Sequence, residues 1–221
     1  PDQFSDELVS IVVRESKIVK YLDMPIQHTS DRILKAMNRR LTKEKLFELI
    51  NKLRAQVPGI VFRTSIIVGF PGETEEDFNE LCQDLEALNL DYVGVFRYSK
   101  EEGTKAAELT GQIHPAPKRR RFKKLQALLQ KLSLAKHQSK IGMRVPVLIE
   151  GPSEETDLLL QGRMASQAQE IDGHILINDL GDLSADSLHA GDMIEVEITE
   201  ALPHDLLGRA IRRYAGAEMT L

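Results

Sequence analysis

The stretch RTSIIVGFPGETEEDF, Arg63 to Phe78, decides the fold. It begins as a β-branched apolar run, breaks at Gly69 and Gly72, and resumes at Thr74 ahead of a segment in which Phe78, Leu81, Leu85 and Leu88 recur three or four apart. The Thr74 side chain can accept a first-turn amide, and Asp77 stands three residues on, as in a capping box. Strand, glycine turn and capped helix make one βα unit. Glycine permits positive φ and close backbone approach, and helix-start amides attract anions. No Gly-Lys-Ser/Thr follows, so this is not a phosphate loop, and a tight strand-to-helix connection would account for the glycines equally well.

Working outward, Ile18 to Pro25 and Tyr92 to Phe96 read as two further strands, and Asp31 to Asn38 and Lys43 to Gln56 as helices started by Ser30 and Thr42. Strands alternating with helices predict a parallel α/β sheet over residues 1–140. Three strands do not close a barrel, and a parallel sheet normally buries both faces. The remaining strands are therefore expected upstream in a longer parent, before the helical stretch Ser5 to Ser16.

After Pro115 and Pro117 comes Lys118-Arg119-Arg120-Arg121-Phe122-Lys123-Lys124, which could pass for a nucleic-acid patch. Phe122, Leu125, Leu128, Leu129 and Leu132 continue at helical spacing, so we read one amphipathic helix from about Ala116 to Lys140 with the basic residues as its solvated face. Beyond Gly142 the period falls to two. Val145 to Ile149, Leu158 to Leu160, Ile175 to Ile177, Met193 to Ile198 and Ala210 to Ile211 are short strands between Gly, Asp, Asn and Ser turns, the pattern of a small OB-like β-barrel over 141–213 followed by a tail, 214–221.

The chain has 221 residues, a net charge of −5 and 42% hydrophobic residues. No apolar run approaches the ~20 residues of a membrane span, which points to a cytoplasmic protein. One cysteine, Cys82, permits no internal disulfide and no self-contained iron–sulfur cluster, and its place in an amphipathic helix marks it as core. Charge is uneven: residues 1–139 hold 23 Lys+Arg against 19 Asp+Glu, net +4, and residues 140–221 hold 6 against 15, net −9. The acidic end repels phosphate backbones and favours a basic partner, although solubility alone would also explain it.

Three polar strand tips gather the candidate ligands: Gln27, His28 and Ser30 after the first strand, the Gly69 turn after the second, and Phe96 to Thr104 after the third. His28 reads as a solvated or capping side chain, since a lone His in a polar loop usually is one.

In combination and order, PIQHTSDRILKAM (Pro25 to Met37), IVGFPGETEEDF (Ile67 to Phe78) and Tyr98-Ser99 with Glu102-Gly103-Thr104 resemble the carboxyl-terminal portion of a radical S-adenosylmethionine methylthiotransferase. Gly162-Arg163-Met164 and Glu170-Ile171-Asp172-Gly173 resemble that family's TRAM domain. The resemblance implies half of a parallel β/α barrel followed by TRAM. Of the family's two branches, Gln27-His28, Glu102-Gly103-Thr104 and Glu170 to Gly173 follow the one that modifies a small-subunit ribosomal protein near the decoding centre, rather than tRNA. It implies methylthiolation of an aspartate β-carbon by a parent using S-adenosylmethionine as radical source and methyl donor. Two [4Fe–4S] clusters are implied, with ligands outside this chain, which alone should be inactive. By position, Gln27, Arg63, Ser65 and Gly69 are the expected cofactor contacts, with Ser65 standing where the motif often has glycine and Arg63 equally suited to an ion pair. No metal ligand or catalytic residue is assigned, and the acidic TRAM domain is expected to bind the basic ribosomal protein. A non-catalytic adaptor for protein or RNA is the alternative from another class.

Overall fold

The computed structural model describes residues 5–153, 156, 159–184 and 187–214. The chain divides into two compact units, one of residues up to Val13 with Leu22–Leu129, the other of Arg14–Tyr21 with Gln130 onward.

The first unit is a βα array: α1 (Asp6–Arg14), β1 (Tyr21–Asp23), α2 (Asp31–Ala36), α3 (Lys43–Gln56), β2 (Val61–Val68), α4 (Glu75–Leu88), β3 (Tyr92–Arg97), α5 (Lys105–Glu108) and the first part of α6 (Pro115–Gln138). The sheet order is β1-β2-β3. The β2–β3 pair is parallel, with Arg63 opposite Tyr92 and Ser65 opposite Gly94. Thr74 and Asp77 form the expected capping box. The first strand is shorter than its apolar run. Pro25 has no N–H to donate, and the Thr64 hydroxyl stands in for the ladder, accepting from Ile26 N–H at 3.0 Å and donating to the Met24 carbonyl at 2.7 Å. Pairing resumes at Gln27, whose bridge to Ile66 is parallel. The strand tips therefore point the same way.

Only one face of this sheet is sealed. Phe62, Thr64, Ile66 and Val68 are buried, and the apolar residues among them form one core with Leu46, Ile50, Phe78, Leu81, Leu85 and Leu125 of the helices. Arg63, Ser65 and Ile67 alternate onto the other, half-exposed face. Among the described residues these three strands close no barrel, in line with the half-barrel reading.

Two expectations fail. Ser30 makes no side-chain cap bond; its hydroxyl donates to Asp77 Oδ1 at 2.7 Å instead. The basic face of α6 is not all solvated: Arg121 is 5% exposed and Lys118 is half-buried. Position explains this, because Lys118 lies four residues before Phe122, and Arg121 four before Leu125, so helical geometry turns both toward the apolar side.

In the second unit β4 (Arg144–Pro152), β5 (Leu160–Arg163), β6 (Ile175–Asp179), β7 (Met193–Ala201) and β8 (Leu206–Arg213) close a barrel in the order β4-β5-β6-β8-β7, parallel only between β6 and β8. Val147, Ile149, Ile175, Ile177, Ile194, Val196, Ile198 and Leu206 fill it. The expected strand Leu158 to Leu160 is displaced to β5, and Leu158 lies outside the described residues, as does the tail from 215. β8 starts at Leu206 and is longer than Ala210 to Ile211, because the inward position before Ala210 is Gly208, which carries no side chain to mark an alternating pattern. A side chain at Gly208 would collide with Val196.

Candidate functional site

The predicted contacts are spread along β2, from Arg63 near its start to the Gly69 turn after its end. Gln27 takes φ +72° and joins β2 through its backbone, donating to Ser65 O and accepting from Ile67 N–H, both at 2.9 Å. Ser65 is half-buried on the open face, where its side chain makes no hydrogen bond among the described residues, and its neighbour in register is Gly94. Gly94 itself is flanked by the Phe96 ring, which would lie 3.3 Å from a Cβ placed there. Arg63, on the same face, holds Asp23 at 2.7 Å. Gly69 follows at φ +78°, and a Cβ there would fall 2.5 Å from Lys118 Cγ. The structure thus brings Gln27, Ser65 and Arg63 to one region, while the flank of Gly69 is filled by the Lys118 stem.

The motif following Gly69 is a buried polar knot. Glu73 Oε2 accepts the Gly69 amide at 2.7 Å, and Glu73 Oε1 holds Arg121 at 2.7 Å, with neither side chain more than 6% exposed. Arg121 also reaches the Glu73 carbonyl at 3.2 Å. His28, expected to be solvated or capping, is fully buried: its Nδ1 accepts the Ser30 amide at 3.0 Å, which leaves the proton on Nε2, 3.7 Å from Glu73 Oε2. Asp77 gathers Ser30, the Thr74 amide and hydroxyl, and Arg32. Burial works against the Asp77 charge, but those hydrogen bonds outweigh it and hold the carboxyl below its usual range. Arg32 also donates to the Gly72 carbonyl at 2.9 Å. Every polar group between Gly69 and Asp77 that enters this knot ties a turn or a helix start in place, so the segment works as scaffold.

Beyond β3 lies a groove of about 540 Å³ lined by residues 95–100 with Pro115, Lys118 and Phe122. Lys118 Nζ donates to the Tyr98 carbonyl at 3.0 Å and sits 4.7 Å from the centre of the Tyr98 ring. Burial lowers the pKa of its amine, opposed by the charge of Glu73. Arg97 lies over Phe122 at 5.6 Å. Sequence reading placed Lys118 on a solvated face and so missed this groove; the signal available was its four-residue offset from Phe122.

For the iron–sulfur chemistry of the resembled family the residues present do not fit. Cys82 is half-buried against the helical core, where burial raises its thiol pKa, and among the described residues no group of three His, Cys, Asp or Glu side chains converges to hold a metal. Also among the described residues, no helix is long and apolar enough to cross a membrane.

Comparison with known proteins extends these observations. The Radical SAM superfamily matches residues 4–85 and the TRAM domain residues 141–211. The ribosomal protein uS12 methylthiotransferase RimO of Anaeromyxobacter sp. (strain K) is 47% identical over 213 residues, covering 96% of this chain and 44% of that protein. Its counterpart in Geobacter sulfurreducens is 46% identical over 211 residues, 96% of this chain and 46% of that one. The chain spans a little under half the length of these relatives. Among solved structures, the radical SAM enzyme coproporphyrinogen III oxidase (HemN) from Escherichia coli matches with a TM-score of 0.51 at 18% identity, over 74% of this chain and 42% of that one, a likeness of fold.

Proposed function

Because the chain belongs to the radical SAM methylthiotransferase family, with its radical SAM segment and TRAM domain both present, we propose that it is part of an enzyme that methylthiolates the β-carbon of an aspartate in ribosomal protein uS12. The observation carrying this reading is 47% identity to a uS12 methylthiotransferase across 96% of the chain. In this reading 1–140 is the barrel part and 141–213 the TRAM domain. When bound, S-adenosylmethionine supplies the radical that removes hydrogen from the target carbon and the methyl group of the product. The two [4Fe–4S] clusters would need cysteines from elsewhere in the parent, since this chain holds one, and alone it would be inactive.

This chain's part is to bind and to orient. Gln27, Arg63, Ser65 and Gly69 would meet the cofactor: the Ser65 hydroxyl offers a donor and acceptor beside Gly94, Arg63 is oriented by Asp23, and Gln27 presents a polar side chain from a fixed backbone. The knot around Glu73 and Asp77 holds the Gly69 turn and Ser30, three residues after Gln27, in place, as a reaction through a reactive intermediate requires. The acidic 140–221 segment, net −9, would draw a basic ribosomal protein and repel tRNA.

The test is the cluster-loaded parent incubated with uS12, tRNA and S-adenosylmethionine, followed by mass spectrometry. One methylthio group on an aspartate of uS12 is the expected result; modification of tRNA with uS12 untouched would overturn it. Ser65→Ala should weaken S-adenosylmethionine binding, and unchanged binding would remove Ser65 from the contact set.

A further inference from the structure

Three positive side chains, Arg97, Lys100 and Lys118, line the groove after β3, and no Asp or Glu is among its lining residues. Among the described residues none of the three has a carboxylate partner. The carboxylate nearest in influence to Lys118, Glu73, is already held by Arg121 at 2.7 Å. Lys118 Nζ donates to a single carbonyl, that of Tyr98, and so keeps donors to spare. The Tyr98 hydroxyl is buried without a hydrogen-bond partner among the described residues. The walls are apolar: Val95, Phe96, Pro115 and Phe122. An uncompensated, partly desolvated ammonium in an apolar groove binds an anion more strongly than the same group in water would. Its position is fixed from below, because Gly69 has no side chain and the Lys118 stem occupies the space a Cβ would take.

We propose that this groove receives the side-chain carboxylate of the acidic residue on which the parent enzyme acts, with Lys118 as its anchor and Arg97 and Lys100 beside it. The inference deepens the reading above and rests on it for the identity of the target. Two other anions compete on chemistry. The cofactor's own carboxylate stands next to an ammonium, which would need an acceptor of negative charge, and the groove lines up three cations and none. A nucleic-acid phosphate would suit the cations but would bring its backbone toward a chain whose last 82 residues carry net −9. A lone aspartyl carboxylate meets neither objection. Holding it fixes the adjoining β-carbon, and it discriminates against asparagine because the neutral amide leaves the Lys118 charge unpaired. Lys118 is here a substrate-binding residue, with no part in bond making.

The experiment is a titration of the isotopically labelled 221-residue chain, read by NMR, with N-acetyl-aspartate N-methylamide, its asparagine analogue, methionine and inorganic phosphate. We expect the aspartate probe to move the amides of residues 96–100 and 118, the asparagine analogue to leave them still, and Lys118→Met, which keeps the stem over Gly69, to weaken the aspartate probe about tenfold or more. Should Lys118→Met fail to fold, Lys118→Arg is expected to retain binding and Arg97→Gln to weaken it severalfold. Equal response to the asparagine analogue, or methionine or phosphate outcompeting the aspartate probe at the same amides, overturns the assignment. So does binding indifferent to both Lys118 and Arg97. The underlying reading fails separately: if the probe binds as stated but the cluster-loaded parent leaves uS12 unmodified, the groove stands and the target falls. If uS12 is modified and Lys118→Met does not slow it, the groove falls and the target stands.

Discussion

Replacing Arg121 by Leu tests whether the polar knot holds the first unit together. The guanidinium lies 2.7 Å from Glu73 Oε1, with side-chain exposures of 6% and 0%. At an effective dielectric of about 20, the gross attraction at that distance is roughly 6 kcal/mol, most of it offset by the cost of taking both ions from water. Removing one partner is a different matter. Glu73 would be left buried and charged, with the Gly69 amide as its remaining donor and His28 Nε2 at 3.7 Å, too far for a strong hydrogen bond. Breaking a buried pair in this way costs about 3–5 kcal/mol. The retained Gly69 bond argues for about 3. The assay is urea unfolding followed by far-UV circular dichroism, with hydrogen exchange of α4 amides to confirm that the first unit carries the loss. Glu73→Gln and the double variant complete a cycle. Since Glu73→Gln removes the orphaned charge, the double variant should lose less than the sum of the singles by about 1 kcal/mol or more. A loss below about 1 kcal/mol for Arg121→Leu, or strict additivity in the cycle, would refute the reasoning.

Asp77 supplies a pH dependence. Its carboxyl is held below the usual range, so its contribution is present above the unfolded value of about 4 and is lost as pH falls through the lower folded value. Between pH 5 and 2.5 the urea midpoint of Asp77→Asn should therefore fall less steeply than that of the native chain; parallel curves would contradict this. His137 works in the same direction, in a higher pH window. Burial lowers its pKa, against the bond from its ring to the Leu202 carbonyl at 2.7 Å, so the second unit should lose stability as pH drops below about 6.5, and His137→Gln should flatten that slope between pH 8 and 5. In the barrel, Gly173 has no room for a methyl, because a Cβ would lie against the His204 carbonyl. Gly173→Ala should cost at least about 1–3 kcal/mol in thermal unfolding of the barrel, and a neutral result would mean that the loop shifts freely.

Much of this protein was decided by its sequence through local chemistry. Alternation of period announced a βα array before Gly142 and a β-barrel after it, and Thr74 with Asp77 capped α4 as the spacing required, because caps and periodicity depend on residues a few positions apart. The parallel order of the strands was likewise legible, but Arg63 stands near the start of β2 and Ser65 at its middle, short of the strand end at Val68. Tertiary structure alone decided the rest. His28 is a tautomer-fixed core residue instead of a solvated loop histidine because the Ser30 amide two residues on holds its Nδ1 and Glu73, 45 positions away in sequence, lies 3.7 Å from its Nε2 in the packed interior. Lys118 and Arg121 belong to a run of seven residues that looks solvent-facing by composition, yet they turn inward because the β2–α4 turn offers one of them the flank of Gly69 and the other a buried carboxylate. Charge tells a sequence reader what a side chain prefers in water; only the packed neighbours tell whether it is left there.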